Sequence, residues 1–257
     1  MKRSIAILAA CATLAIALTH AAVAGTITGT WKISSNDAGT VQFDLRSVSA
    51  NGKHDSEDGH SVTLASLGLT RAQFDGPNGP VAFTLAHDAG DIVCRGTLGA
   101  GWGAGTFVFT PRPAYASAMA QRGSAVGSDR EQLAGAMLDV TVAYVDGLAG
   151  AGFTRVPFKD LIGMRALDVT PEYVAAMKAA GVPFGAARET IEARALNVTP
   201  DYVREMSQVG YPNLGVRQLV ELRALSIDAA YVRKVQAHGF AHLTLQKLVE
   251  AKAMNVI

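Results

Sequence analysis

A chain of 257 residues, 49% of them apolar, is long enough to build one or two real cores. Its 23 basic residues are nearly balanced by 22 acidic ones, which excludes the basic footprint of a nucleic-acid-binding protein. It has 2 cysteines, and one of them falls in the leader described next, so no intramolecular disulfide is available to the exported chain.

Residues 1–24 read as a secretory signal. Lys2 and Arg3 form the basic start, Ser4 to Leu18 is apolar, and Ala22-Val23-Ala24 is a small-x-small cleavage site. The apolar run is shorter than the ~20 residues of a comfortable membrane span. Leu8-Ala9-Ala10-Cys11 also has the form of a lipobox, which would place a lipid on Cys11, but most of the apolar stretch follows that cysteine. Cleavage after Ala24 predicts a periplasmic or secreted protein with no stable membrane span. Without Lys2 and Arg3, 21 of the 23 basic residues remain against 22 acidic ones.

Residues 25–112 predict an antiparallel β domain, a small sandwich or a partly open barrel. Apolar and polar residues alternate over Thr26–Ile33, Val41–Leu45, Val81–Leu85 and Thr106–Phe109, the pattern of half-buried strands. Gly-containing pairs such as Asp75-Gly76, Asn78-Gly79 and Ala89-Gly90 punctuate them. An echo at 40 residues, Val41/Phe43/Leu45 against Val81/Phe83/Leu85 and Leu67/Leu69 against Phe107/Phe109, suggests two similar three-strand halves. Cys94 lies in the apparent strand Ile92-Val93-Cys94, which predicts a buried, inert thiol.

Residues 113–257 read as five copies of a 29-residue unit and predict an αα-solenoid. Tyr115, Tyr144, Tyr173, Tyr202 and Tyr231 form one column, and Gly123, Gly152, Gly181, Gly210 and Gly239 another. Thr141, Thr170, Thr199 and Asp228 are N-caps of a first helix, with Pro171 and Pro200 at its first position. The Gly column, followed by Phe153, Val182, Tyr211 and Phe240, has the form of a Schellman stop. A second helix ends near Asp139, Asp168, Asn197, Ser226 or Asn255, residues that tolerate a left-handed backbone. Pro111-Arg112-Pro113 joins the two halves tightly, so the first unit is expected to pack on the sheet.

Candidate chemistry is sparse. Gly99-Ala100-Gly101-Trp102-Gly103-Ala104-Gly105 leads into a strand and predicts a hairpin, since phosphate-binding loops deliver their ligand to a helix N-terminus. His54-Asp55-Ser56-Glu57-Asp58-Gly59-His60 gathers metal-capable groups at spacings that match no known cage, which predicts a solvated hairpin loop. His238 and His242 are separated by the helix-stopping Gly239, so a metallopeptidase pair is excluded. No Gly-x-Ser-x-Gly elbow occurs. Two basic columns recur on the second helix: Arg130, Lys159, Arg188 and Arg217, then Arg165, Arg194, Arg223 and Lys252. Internal pairing explains the first, with Arg188 facing Glu192 and Arg217 facing Glu221 at i,i+4. The second is the candidate partner-binding ridge.

The repeat, as in Ala166-Leu167-Asp168-Val169-Thr170-Pro171-Glu172-Tyr173-Val174, resembles arrays in bacterial envelope proteins, including those appended to membrane zinc peptidases of the β-lactam-sensor and antirepressor type. The preceding Val81–Leu85, Asp88-Ala89-Gly90, Cys94-Arg95-Gly96 and Gly105-Thr106-Phe107 look like the β segment that accompanies them. The peptidase's zinc motif and membrane helices are absent, so no catalytic residue carries over. The resemblance implies a stand-alone exported relative of a sensing or interaction module. The expectation is therefore a non-catalytic protein without cofactor or metal, binding a protein partner in the cell envelope through its helical face. Gly29-Thr30-Trp31 resembles the opening strand of lipocalin-like barrels, so a small-ligand carrier is the alternative. A hydrolase with a site at the junction of the two halves is the third reading.

Overall fold

The computed structural model describes residues 25–36, 39–48 and 55–254. The signal reading of 1–24, with Cys11, and the last helix stop at Asn255 lie outside the described residues. The fold is α+β. One antiparallel sheet is built from β1 (Ile27–Ser35), β2 (Val41–Val48), β3 (Asp55–Val62), β4 (Gly79–His87), β5 (Gly90–Gly99) and β6 (Trp102–Pro111). Its order is β3-β2-β1-β6-β5-β4.

Two consecutive three-strand meanders meet where β1 pairs with β6. The 40-residue echo does not mark a duplication, because it pairs second-strand β2 with first-strand β4 and puts Leu67 and Leu69, in and after a 3₁₀ turn (Ala65–Leu67), against β6. It reflects a shared inward alternation: Phe43, Leu45, Phe83, Leu85, Phe107 and Phe109 are all buried.

The sheet rolls up. In a flat sheet β2 and β4 would be roughly 19 Å apart, four strand spacings. Yet the ring centroids of Phe43 and Phe83 are 6.2 Å apart, and Phe83 meets Trp31 of β1 edge-on at 5.3 Å. Glycine makes room for the indole: a Cβ at Gly96 would come within 2.8 Å of the Trp31 ring, and one at Gly105 within 2.7 Å. The indole Nε1–H donates to the Arg95 carbonyl at 3.2 Å. The Gly-rich run is the expected hairpin, turned by Ala100 (φ 51°) and Gly101 (φ 79°), the two left-handed positions of a type I′ turn. Cys94 is fully buried, and burial pushes its thiol up to about 12, which keeps it protonated.

The acidic stretch before His60 is a strand rather than a solvated loop. β3 pairs with β2 from Val41↔Val62 to Val48↔Asp55. An edge strand needs only one backbone ladder, and a charged edge discourages further pairing, so composition hid it. His54 and the side chains of 55–58 lie outside the described residues.

After α1 (Arg71–Asp75), the ten further helices among the described residues, each of nine residues, follow the 29-residue rhythm. The first of each pair are α2 (Pro113–Gln121), α4 (Val142–Gly150), α6 (Pro171–Ala179), α8 (Pro200–Gln208) and α10 (Ala229–Ala237). The second are α3 (Asp129–Met137), α5 (Phe158–Ala166), α7 (Ala187–Ala195), α9 (Val216–Ala224) and α11 (Leu245–Ala253). Thr141, Thr170, Thr199 and Asp228 cap their helices by accepting from the N–H of Tyr144, Tyr173, Tyr202 and Tyr231. Each column glycine is left-handed, and the residue after it donates to the residue five earlier, as in Val182 N–H to Met177 O at 3.0 Å. The second helices stop the same way on Asp139, Asp168, Asn197 and Ser226, with φ of 53–54°. Helices this short are marginal alone, and like helices one unit apart pack together: α3 on α5, α5 on α7, α7 on α9, α2 on α4, α4 on α6 and α8 on α10.

The first unit rests on the sheet. Gln132 of α3 is buried and donates to the carbonyls of Ala89 (2.6 Å) and Arg112 (3.0 Å). Asp88, in the β4–β5 turn, accepts from the Val142 N–H at the start of α4.

Candidate functional site: the tyrosine–cation ladder and the junction cavity

The tyrosine column is a structural rail. Each buried hydroxyl donates to the carbonyl 25 residues on: Tyr115 to Val140, Tyr144 to Val169, Tyr173 to Val198 and Tyr202 to Ile227, at 2.7–2.8 Å. Each acceptor follows a second-helix stop, so the bond ties one unit's first helix to the end of its second helix. Burial pushes the Tyr173 and Tyr202 hydroxyls up to about 12, so they stay protonated as donors. Tyr231 has no acceptor among the described residues; the same spacing would use residue 256, outside them.

The predicted ridge lies directly on these rings. Arg165 stacks over Tyr144 at 5.4 Å, Arg194 over Tyr173 at 5.1 Å, Arg223 over Tyr202 at 4.0 Å and Lys252 over Tyr231 at 4.3 Å. The column then divides. Arg165 sits 3.7 Å from Asp139 and 3.8 Å from Asp168, and donates to the Asp139 carbonyl. Arg194 pairs with Asp168 at 3.1 Å and donates to the Leu167 carbonyl. Asn197 and Ser226 occupy the equivalent stops below Arg223 and Lys252, and no carboxylate pairs with either cation among the described residues. The Arg223 Nε–H is buried with no acceptor among the described residues. In the other basic column Arg188 pairs with Glu192 at 2.7 Å, as expected, whereas no pair joins Arg217 to Glu221 among the described residues.

A second place gathers polar groups that the sequence keeps far apart. Strands β3 and β4, at the two ends of the strand order, both line a cavity of about 270 Å³ formed by Phe43, His60, Val62, Ser66, Leu67, Leu85, His87, Met137 and Asp139. His87 Nδ1 is 3.5 Å from Asp139 Oδ1, so the sheet is linked to the α3 stop that Arg165 also engages. Burial, and then the neighbouring His87, hold the His60 imidazole below its usual value, against an opposing effect of Asp44. A further cavity of about 260 Å³, lined by Gly59, His60, Ala134, Met137, Leu138, Ile162 and Ala166, shares His60 and Met137 with the first. The sequence held no signal for this cluster, because rolling of the sheet is what brings residues 60, 87 and 139 together.

Among the described residues no group of three or more His, Cys, Asp or Glu side chains is arranged to hold a metal ion. No single described helix is long and apolar enough to cross a membrane. No family model, curated protein or solved structure matches the chain.

Proposed function

We propose that the protein is a non-catalytic, exported interaction module, a partly open β-barrel followed by a five-unit αα-solenoid that binds an acidic protein partner in the cell envelope. The period of 29 residues and the packing of like helices support the solenoid reading. The aromatic contacts across the rolled sheet support the barrel reading. The export leader and the resemblance to envelope sensing modules support the compartment and the class of role.

One observation carries the choice of binding surface: Arg223 and Lys252 are positioned on tyrosine rings and, among the described residues, have none of the carboxylates that neutralise Arg165 and Arg194. A cation held in place by a ring gives up little side-chain entropy when it meets an anionic partner. Arg165 and Arg194 then serve as internal ties, and Arg223 and Lys252 as the recognition pair.

The test is affinity capture from envelope extract with residues 25–257 as bait, followed by reconstitution with the purified partner. Arg223→Gln with Lys252→Gln is expected to weaken binding at least tenfold. Arg165→Gln with Arg194→Gln should keep binding and lower the melting temperature. Equal loss in both double variants, or in neither, would remove the assignment.

A further inference from the structure

We infer that the junction cavity is a binding site for a small, uncharged, largely apolar molecule carrying one hydrogen-bonding group. This site is independent of the protein-binding surface proposed above.

The wall decides the body of the ligand. Phe43, Val62, Leu67, Leu85 and Met137 supply apolar surface from both meanders and from α3. Ligand sites typically show such a wall, a few convergent polar groups and a position where two structural units meet. Met137 adds an unbranched side chain able to follow ligands of different outline.

Charge bookkeeping decides the rest. Among the described residues Asp139 is the one carboxylate in the lining, and it already faces Arg165 at 3.7 Å and His87 at 3.5 Å. Burial and the neighbouring His87 lower the His60 pKa and so favour its neutral imidazole. Among the described residues no unpaired charge of either sign therefore faces the space, and against them an ionic ligand would lose its hydration without compensation. Neutral His60 offers one N–H donor and one acceptor. Ser66 donates its hydroxyl to the Thr63 carbonyl at 2.8 Å, which leaves its oxygen as an acceptor. One hydroxyl, amide or indole N–H on the ligand matches these groups. The adjoining cavity past His60 and Met137 gives a longer molecule room to extend toward Ile162 and Ala166.

The test uses residues 25–257 and the uncharged fluorophore N-phenyl-1-naphthylamine, with 8-anilino-1-naphthalenesulfonate as its anionic counterpart. Saturable 1:1 binding of the neutral dye, at least tenfold tighter than the anionic one, is the expected result. The apolar groove at the last helix, near Phe240 and Met254, is the rival location. Leu67→Trp should weaken the dye at least tenfold, while Phe240→Ser should leave it unchanged. Because Leu67→Trp risks overpacking, location is read in the unaltered protein as well. With methionine methyls labelled, the bound dye should show an Overhauser contact to the Met137 methyl. A contact to Met254 instead, loss in Phe240→Ser, equal binding of the anionic dye, or no saturable binding overturns the inference.

Discussion

The Arg223 guanidinium lies 4.0 Å from the centroid of the Tyr202 ring, closer than Arg194 to Tyr173 at 5.1 Å or Arg165 to Tyr144 at 5.4 Å. The order follows the competition for each cation. Asp139 and Asp168 draw Arg165 and Arg194 toward the helix stops, while Asn197 exerts no such pull on Arg223. A double-mutant cycle of Arg223→Gln and Tyr202→Leu should give a coupling of about 1 kcal/mol, between the exposed and desolvated limits for cation–π pairs. Thermal melts at low and high salt check it, and the coupling should hold up better in salt than that of Arg194 with Asp168, an ion pair with 27% and 66% side-chain exposure.

The hydroxyl rail makes a sharper contrast. Tyr173→Phe leaves the buried Val198 carbonyl without its 2.8 Å donor and should cost about 1–3 kcal/mol. Tyr211→Phe removes a half-buried hydroxyl that donates to the Leu243 carbonyl at 2.9 Å, where water can take its place, and should cost less. Urea denaturation of both variants measures the difference.

Helix stops held by left-handed non-glycine residues store a small strain. Ser226 has φ 53°, where a side chain costs roughly 1–2 kcal/mol relative to glycine. Ser226→Gly should therefore raise stability by about 0.5–1 kcal/mol, and Ser226→Val should lower it. Asp168→Gly should gain less, because it also removes the ion pair to Arg194.

The repeat was legible because its signals are local. Thr caps, Pro at the first position and the glycine stop act within about a turn, and the structure follows them unit by unit. The edge strand β3 was not legible, since its pairing with β2 owes nothing to its own acidic composition. The cation column was visible as a period, but its division was not: that depends on whether Asp, Asn or Ser stands at a helix stop 26 residues before each cation. The junction cavity lay further from reach, because residues 60, 87 and 139 meet only after the sheet has rolled and α3 has docked on it.

The same cavity should make the protein acid-sensitive. The folded state lowers the His60 pKa from its ordinary value of 6.5, so the unfolded chain binds the extra proton more readily. Stability from neutral His60 is complete above the unfolded value of about 6.5 and is lost as pH falls through the lower folded value. The groups around it act in opposite directions, since His87 adds repulsion on protonation while Asp44 opposes the shift. His60→Gln keeps a hydrogen-bonding side chain without the titration. The melting temperature of the unaltered protein should thus fall from pH 7 to pH 5, and His60→Gln should show a shallower decline over the same range. Parallel declines would assign the acid sensitivity to other groups and leave the His60 environment without energetic consequence.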